Sequence, residues 1–366
     1  MIPIYNPYIN KYKKSALKAI EDEWISNYGV NVTNSEEKLK NILNIPYCIL
    51  MNNGTSATHC LFLSLKFKYP NIKKIYVPNN VFVAAWNTCL MQFLKDQIEV
   101  METDENTLNI KTDEDYIKNL SCNSAVLIVH NLGNVVNVPR LKRLRKDLIF
   151  IEDNCEGLFG KYEEIYSGCS KDSLCSSASF YGNKTLTTGE GGAFLTHDKE
   201  LYDYIKSCYS HGMTQTRYIH DKIAYNYRMT NVQAGFLYDQ LSDISNILQL
   251  KNIIFKNYDN LLHELISNGT IKKIQKEEKT KNSKWMYCII TSVNFEKIEK
   301  YMEDSLVQVR PFFYDIRCHK HLQDINVSYE PLSIFNNGVM LPSYPGLLIE
   351  QQEYIVNCLK ECIKSI

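Results

Sequence analysis

The sequence has no excess of charge of either sign and no long hydrophobic run. Its 366 residues include 41 lysines and arginines against 41 aspartates and glutamates, which gives a formal net charge of zero. Proteins that bind nucleic acid usually carry clustered positive charge, and the one basic stretch, Arg140–Lys146, is predicted to be the solvated face of a helix. No apolar run approaches the roughly 20 residues that cross a bilayer. We therefore expect no nucleic-acid partner and no membrane segment.

Paired cysteine motifs are also absent. The chain has 12 cysteines but no Cys-x-x-Cys pair, and no secretory leader precedes the first predicted helix. We therefore expect reduced thiols in a cytoplasmic protein. Cys318, His319 and His321 are almost consecutive, and no partner motif elsewhere completes a zinc site, so we expect no metal.

The chain has enough apolar residues to fold around a sizeable core. Hydrophobic residues make up 45% of it and charged residues 22%, as in ordinary globular proteins. Strand-forming runs alternate with helical patterns, which predicts an α/β fold with a mostly parallel sheet covered by helices. The predicted strands are Ile75–Val77, Ile98–Met101, Ala125–Val129 and Leu148–Ile151, and the helices between them include Ala57–Phe67 and Phe82–Phe93.

The chain is longer than one core usually organises, so a second, smaller domain is expected. The elements predicted near the boundary and beyond it are a long helix from Met229 to about Leu262, strands over Trp285–Thr291 and Val307–Arg310, and a closing helix over Glu350–Ile366. We predict a large domain over residues 1–248 and a smaller C-terminal α+β domain over residues 249–366.

Lys184 stands in the most informative segment of the chain. The run Ser179-Phe180-Tyr181-Gly182-Asn183-Lys184 leaves a predicted strand, and a glycine-rich turn, Gly189-Glu190-Gly191-Gly192, follows. A lone lysine is usually an exposed charge, and the glycines could simply form a tight turn. A lysine that forms a Schiff base must lose its proton, which requires neighbours and partial burial that lower its pKa. This segment could supply such surroundings.

Two further segments are expected at the same edge of the sheet. Asp153 follows an apolar strand, where it could cap a helix or pair with the basic ring nitrogen of a cofactor. Gly54-Thr55-Ser56-Ala57 opens a helix, and its free N–H groups suit a phosphate, although an ordinary helix cap has the same pattern. Because ligands of open α/β sheets bind beyond the carboxyl ends of the strands, we expect these loops to meet.

These motifs occur in the order found in the DegT/DnrJ/StrS family of sugar aminotransferases, which the chain resembles over nearly its whole length. The matching segments are Trp24-Ile25-Ser26, Asn53-Gly54-Thr55-Ser56-Ala57, Ile151-Glu152-Asp153, Ser179-Phe180-Tyr181-Gly182-Asn183-Lys184, Gly189-Glu190-Gly191-Gly192, Tyr225-Asn226-Tyr227-Arg228-Met229-Thr230-Asn231 and Arg310-Pro311-Phe312-Phe313. The resemblance implies the aspartate-aminotransferase (type I) fold and the cofactor pyridoxal 5'-phosphate (PLP), with its amine form PMP. It also implies a homodimer whose subunits share the active sites.

The resemblance implies roles for individual residues as well. Lys184 would form the Schiff base with PLP, Asp153 would meet the pyridine nitrogen, and Glu156 would lie near the phenolic oxygen. The residues implied to hold the phosphate are Thr55, Ser56 and Ser179, with Asn226 from the neighbouring subunit. Phe82 occupies the position of an aromatic residue that stacks on the cofactor, and a buried core position is its alternative. The residues expected on the substrate side are Arg228, Arg310 and Tyr314.

The activity implied by the resemblance is transfer of an amino group from L-glutamate to a nucleotide-linked keto sugar. Arg310-Pro311-Phe312-Phe313-Tyr314 resembles the segment of members that act at C4 of 4-keto-6-deoxy sugars. A dTDP- or UDP-4-keto-6-deoxyglucose acceptor, giving viosamine, is therefore favoured, with GDP-perosamine formation or amination at C3 as alternatives. Leu132-Gly133-Asn134 departs from the family's Tyr-Gly-Gln, and Val81 and Ala85 replace threonine-rich positions, which leaves the substrate contacts open.

Two other classes of protein are weighed against this hypothesis. The PLP-dependent sugar dehydratases of the same family carry a histidine in place of the Schiff-base lysine, so Lys184 argues against a dehydratase. A non-catalytic PLP-binding protein would bind the cofactor without reacting with glutamate. The complete set of Lys184, Asp153 and Ser179 argues against that alternative.

Overall fold

Helices and strands alternate through most of the chain. The computed structural model describes residues 1–365. Its α-helices are α1 (Lys14–Glu21), α2 (Val30–Leu43), α3 (Gly54–Lys68), α4 (Ala84–Leu90), α5 (Glu114–Lys118), α6 (Val138–Leu144), α7 (Lys199–Cys208), α8 (Asn231–Ser242), α9 (Ile244–Leu261), α10 (His263–Ser267), α11 (Phe295–Asp304) and α12 (Ile349–Ser365). Within these described residues, no helix has the length and apolar character needed to cross a membrane.

The strands are short and fall into three sheets. They are β1 (Tyr47–Met51), β2 (Lys74–Pro78), β3 (Ile98–Met101), β4 (Ser124–Val129), β5 (Ile149–Asp153), β6 (Lys161–Tyr162), β7 (Ile165–Tyr166), β8 (Ser173–Ser179), β9 (Gly192–Thr196), β10 (Ile271–Lys273), β11 (Thr280–Lys281), β12 (Tyr287–Thr291), β13 (Arg310–Pro311) and β14 (Gly338–Leu341). The smallest sheet has the order β11-β6-β7.

A seven-stranded sheet organises the larger part of the molecule. Its strand order is β1-β9-β8-β5-β4-β2-β3. β9 runs antiparallel to both of its neighbours, whereas the other pairs are parallel. Every residue of β4 is buried, as expected of a strand covered by helices on both faces. The predicted α/β fold class with a mixed, mostly parallel sheet is confirmed.

Helix α3 is the central helix on one face of this sheet. It packs against β8 and β9 and is covered by α4 and α7, so the residues from Ser56 to Leu65 are all buried. Leu61 and Phe62 share a core with Ile75 and Leu127 of the sheet. β1 runs parallel to β8, because each is antiparallel to β9. The N-terminus of α3, which follows β1, therefore lies at the edge where β5 and β8 end.

A second, antiparallel sheet of order β10-β12-β14-β13 forms from the C-terminal part of the chain. Helices α9, α11 and α12 contribute to its separate core, which includes Ile289 and Leu341. The predicted domain boundary between residues 248 and 249 falls inside α9. Ile2 pairs with Val307, and β11 pairs with β6. Segments from both sides of the boundary thus pair with each other, and the division into two domains stays a prediction.

The long helix predicted from Met229 to Leu262 is wrong. The structure has two helices there, α8 and α9, and Asp243 lies between them with a non-helical backbone, φ −125° and ψ 27°. The carboxylate of Asp243 accepts a hydrogen bond from the hydroxyl of Tyr12 at 2.8 Å. A contact with a residue far away in the sequence thus accompanies the break.

The strand predicted over Val307–Arg310 is also wrong. The strand in this region, β13, covers only Arg310–Pro311. Val307 forms an isolated parallel bridge with Ile2, and the backbone N–H of Ile2 donates to the carbonyl of Leu306 at 2.7 Å. Val307 therefore pairs with the N-terminal segment of the chain instead of with a strand of the sheet.

Helix α1 packs directly on α8 because a glycine lies between them. A Cβ atom at Gly235 of α8 would come within 2.6 Å of the backbone nitrogen of Ala16 and 2.7 Å of its Cα. A Cβ atom does not come this close to an atom to which it is not bonded, so a larger residue at position 235 would push the two helices apart.

We expect Gly235→Ala to lower the free energy of unfolding by about 1–3 kcal/mol, the usual cost of overpacking a core. Alanine favours a helix over glycine by about 1 kcal/mol, so helix propensity alone predicts the opposite sign. Chemical denaturation measures the change. The control is Ser245→Ala at an exposed position of α9, which should leave stability unchanged or slightly raised. A stabilised Gly235→Ala protein would show that close packing of α1 on α8 is dispensable.

Candidate active site

The carboxyl ends of three parallel strands bring the predicted residues together. β5 ends at Asp153, which is in register with Val129 at the end of β4 and with Ser177 near the end of β8. β8 itself ends at Ser179, and the loop that follows carries Lys184. Because parallel strands end at the same edge of a sheet, the side chains that follow them meet in one cavity there.

The carboxylate of Asp153 is buried and is held by three donors. The backbone N–H of Cys155 donates to Oδ1 at 3.1 Å. The hydroxyls of Thr58 and Ser177 donate to Oδ2 and Oδ1, each at 3.4 Å, and lie 3.0 Å from one another. A buried carboxylate requires such donors, and together they fix its orientation at the wall of the cavity.

Sequence reasoning missed Thr58 and Ser177. Thr58 lies three residues after Thr55 in α3, a spacing that places both on one face of a helix. Ser177 lies two residues before Ser179 in β8, a spacing that places both on one face of a strand. These two periodicities were visible in the sequence and could have indicated both residues.

The side chain of Lys184 lies between an aromatic ring and a carboxylate. Its Nζ is 4.2 Å from the centre of the Trp285 ring and 3.6 Å from Oε1 of Glu156. The indole N–H of Trp285 donates to the carbonyl of Asn183 at 3.0 Å, which holds the ring beside the lysine. A cation over an aromatic face is attracted to it. Trp285 was not predicted, because nothing in its local sequence connects it to Lys184.

Glu156 can change its protonation near neutral pH. The backbone N–H of Leu132 donates to its Oε2 at 2.8 Å. Burial raises the pKa of Glu156 to about 7, and the positive charge of Lys184 opposes this rise. Leu132 has a left-handed backbone, with φ 55°, a conformation that costs energy and is often found at functional sites. Glu156 can therefore gain or lose a proton inside the cavity, 3.6 Å from the amine of Lys184.

Helix α3 begins with a cradle that opens into the cavity. The side chain of Asn53 accepts the N–H of Ser56 at 2.8 Å, while the N–H groups of Gly54 and Thr55 have no acceptor within the helix. A Cβ atom at Gly54 would lie 2.7 Å from Cβ and 2.9 Å from Oγ of Ser179. Glycine is therefore required for the helix to start this close to Ser179. Two N–H groups and two hydroxyls in this arrangement suit a phosphate.

A cavity of about 760 Å³ opens at this edge of the sheet, a size typical of cofactor and substrate sites. The predicted residues that line it are Thr55, Phe82, Asp153, Glu156, Ser179, Lys184, Arg310 and Tyr314. Lining residues that were not predicted include Thr58, Tyr181, Trp285, Phe313 and His319. Phe82 is 57% exposed, so the alternative of a buried core position is wrong. Its ring lies 6.0 Å from that of Phe313.

Three predicted residues, Ser56, Asn226 and Arg228, do not line the cavity of the single chain. Ser56 is buried under the start of α3. Nε of Arg228 donates to the side-chain oxygen of Asn226 at 2.9 Å, and the side chain of Asn52 donates to the carbonyl of Asn226 at 3.3 Å. Asn226 is exposed, and its role in the site of a neighbouring subunit stays a prediction.

The segment Cys318-His319-Lys320-His321 makes other contacts. Nε2 of His321 lies 2.8 Å from the side-chain oxygen of Asn87, and His319 lines the cavity. Across residues 1–365, no three His, Cys, Asp or Glu side chains are arranged to hold a metal ion.

The fold and the cavity define the class of the protein. A lysine beside buried carboxylates, with a phosphate cradle at a helix N-terminus, fits PLP in its shape and in the chemistry of its donors. These features, at the carboxyl edge of a mostly parallel sheet, are those of a PLP-dependent aminotransferase.

The chain belongs to the DegT/DnrJ/EryC1/StrS aminotransferase family, whose sequence profile matches residues 7–360. It is 29% identical to the GDP-perosamine synthase of Escherichia coli O157:H7 over 98% of both chains, and 28% identical to that of Vibrio cholerae over the full length of both. A solved structure of a Helicobacter pylori aminotransferase involved in the biosynthesis of pseudoaminic acid covers 99% of both chains, with 22% identity and a TM-score of 0.88. The predicted family, fold type, enzyme class and PLP cofactor are confirmed.

We expect Glu156 to make the ligand-free protein less stable as the pH rises from about 5 to about 8. The pKa of Glu156 is about 7 in the folded protein and is lower in the unfolded chain. Between these two pKa values the folded state binds more protons than the unfolded chain, so the free energy of unfolding falls as the pH rises through this range. In Glu156→Gln, the free energy of unfolding should fall less over the same range, by about 1–3 kcal/mol. Urea denaturation at several pH values measures the difference. Parallel pH curves for the two proteins would contradict the expected titration.

Proposed function

We propose that the protein transfers an amino group from L-glutamate to C4 of a nucleotide-linked 4-keto-6-deoxy sugar. The proposal rests on the position of Lys184. Its Nζ lies 3.6 Å from Glu156, in a cavity that is also lined by Asp153 and the start of α3. When bound there, PLP supplies an aldehyde that can store an amino group and a ring that withdraws electrons.

Lys184 would carry the cofactor and serve as the acid and base of the reaction. Its side chain is mostly buried, at 13% exposure, and the Trp285 ring covers one side of its amine. Partial exclusion of water strengthens electrostatic interactions and limits proton loss to solvent. From this position the amine can take a proton from the glutamate carbon and deliver one to the sugar carbon.

Asp153 would keep a proton on the ring nitrogen of the cofactor. Thr58, Ser177 and the N–H of Cys155 orient its carboxylate at the cavity wall. A charged acceptor forms a short, strong hydrogen bond with a protonated ring nitrogen, and that proton increases the electron withdrawal by the ring. The exposed ring of Phe82 would stack on the face of the cofactor.

Thr55, Ser179 and the first N–H groups of α3 would hold the phosphate. A helix N-terminus favours negative charge because its N–H groups and its dipole point at the ligand. The hydroxyl of Ser56 is a weaker candidate than sequence reasoning suggested, since the residue is buried outside the cavity lining. Asn226 of a second subunit would complete this group of donors.

A homodimer is supported by exposed apolar side chains beside the segment that carries Asn226. Trp24, Ile25 and Tyr28 are 56%, 55% and 73% exposed. The side chain of Asn231 donates to the carbonyl of Trp24 at 2.7 Å, which ties this apolar loop to the end of the Asn226 segment. Large apolar side chains that are exposed and close together in the chain are typical of a protein interface.

The acceptor would bind on the side of Arg310 and Tyr314, two exposed residues that line the cavity next to Phe313. An arginine there can pair with a diphosphate or a carboxylate. The full-length similarity to two GDP-perosamine synthases favours a GDP-linked ketosugar derived from mannose. The dTDP- or UDP-linked acceptor, which would give viosamine and which the sequence favoured, is our second candidate. Amination at C3 is the third.

Lys184→Ala should abolish PLP attachment and amino transfer while leaving the fold intact. Borohydride reduction of the PLP-loaded wild type should fix the cofactor on Lys184, and mass spectrometry of the peptides would locate it. Lys251→Met is the control, because the ammonium of Lys251 is buried and bound by the carbonyls of Trp285 and Ser343 at 2.8 and 2.6 Å. This variant should still be labelled at Lys184. A label on another lysine, or turnover by Lys184→Ala, would contradict the assignment of Lys184 as the residue that binds PLP.

Incubation with L-glutamate and separate GDP-, dTDP- and UDP-linked 4-keto-6-deoxy sugars tests the acceptor. We expect the GDP-linked sugar to be aminated at C4 with a kcat/KM at least about tenfold above the others. Mass spectrometry would detect the amino sugar, and NMR would locate the new amine. Product from the dTDP- or UDP-linked sugar alone would overturn the GDP assignment. Formation of 2-oxoglutarate without any amino sugar would support the assignment as a transaminase and would exclude these three acceptors.

A further inference from the structure

A second cleft, distinct from the active-site cavity, lies beside the antiparallel sheet. It has a volume of about 370 Å³ and shares no lining residue with the active-site cavity. Five lysines line it, against a single acidic residue, Asp259. They are Lys256, Lys273, Lys276, Lys281 and Lys284. We refer to it as the lysine cleft.

Only two of these five charges are neutralised by ion pairs. Lys273 pairs with Asp259, and Lys281 pairs with Glu164 at 3.3 Å. In the part of the chain that the structure describes, the other three lysines have no carboxylate within 4.0 Å. The cleft therefore carries a net positive charge. Such a concentration of unpaired cations attracts anions.

Lys284 is held inside the cleft at some energetic cost. Its backbone is left-handed, with φ 60°, and its N–H donates to the side-chain oxygen of Asn282 at 2.6 Å. Its ammonium donates to the side chain of Asn252. Burial, and then the nearby charge of Lys276, lower the pKa of Lys284. A strained backbone and a partly buried cation beside another cation are features that persist at ligand sites.

The floor of the lysine cleft is apolar. Leu132, Met286 and Tyr287 are buried beneath it, and the ring of Phe255 packs edge-on against Tyr287 with ring centres 5.2 Å apart. A bare inorganic anion would contact the lysines but would make no use of this apolar lining. A ligand that fits the whole cleft combines anionic oxygens with a flat apolar group.

We propose that the lysine cleft binds a nucleotide, with its phosphates between Lys276 and Lys284 and its base over the apolar floor. Phosphate oxygens accept hydrogen bonds from lysine ammonium groups, and the planar base offers a face to Phe255 and Met286. The volume is within the range of small-ligand sites. The inference is independent of amino transfer, because none of the lysines that carry it lines the active-site cavity.

Lysine acetylation tests the proposal at the level of single residues. The PLP-loaded protein is treated with an acetylating reagent with and without GDP, and the rate at each lysine is read by mass spectrometry of the peptides. We expect GDP to slow acetylation of Lys256, Lys276 and Lys284 at least about fivefold, because bound phosphates withdraw amines from attack. Lys300, an exposed lysine paired with Asp304, should react at an unchanged rate. Equal rates with and without GDP would refute the proposal.

Inorganic pyrophosphate separates a nucleotide site from a simple anion site. It supplies the charge of GDP without the base, so it should protect the same lysines only at concentrations at least about tenfold higher. Protection by pyrophosphate at the same concentration as GDP would overturn the assignment to a nucleotide.

A matched pair of variants tests the contribution of Lys284. Lys284→Asn removes the charge and tolerates the left-handed backbone, and protection of Lys276 should then require about tenfold more GDP, as for the loss of one charged hydrogen bond. Lys279→Asn is the control, because Lys279 has the same backbone conformation, φ 58°, but does not line the cleft. An equal loss of protection in both variants would contradict a specific site.

Discussion

The burial of three carboxylates at the end of one apolar strand is the constraint on which the rest of the structure depends. Glu152, Asp153 and Glu156 are all buried, and a buried charge without partners is too costly for a folded protein. Glu152 accepts hydrogen bonds from four groups, among them Nε2 of His130 at 2.8 Å. Nδ1 of His130 accepts the N–H of Val136, so the proton on Nε2 is the one that points at Glu152.

Asp153 and Glu156 are buried like Glu152, but their carboxylates line the active-site cavity. Successive residues of a strand point to opposite faces, so Asp153 faces the cavity while Glu152 stays within the protein. The partners of these two acids come from separate segments: the hydroxyl of Thr58 in α3, the N–H of Leu132 and the ammonium of Lys184. A ring nitrogen of PLP would add one more donor to Asp153. The cavity of about 760 Å³ beside these acids has room for the cofactor.

Local sequence patterns closely predicted four neighbouring strands of the main sheet, β2, β3, β4 and β5. β3 has the predicted bounds, Ile98–Met101, and β4 and β5 differ by at most two residues at either end. A strand buried on both faces is a short apolar run, which can be recognised without knowing its neighbours. The patterns failed at Asp243, which Tyr12 contacts, and at Val307, which pairs with Ile2. In both places the deciding contact comes from the other end of the chain.

The sequence by itself indicated many of the residues that line the cavity, together with their local settings. Lys184 after a strand and Gly54 at the start of a helix are recognisable because a motif and its turn are contiguous in the chain. Only the tertiary structure decided that Trp285 covers Lys184, that Thr58 binds Asp153, and that unpaired lysines surround a second cleft. The physical reason is that these contacts join loops whose proximity depends on the order of the strands in the sheet, and spacing along the chain does not encode that order.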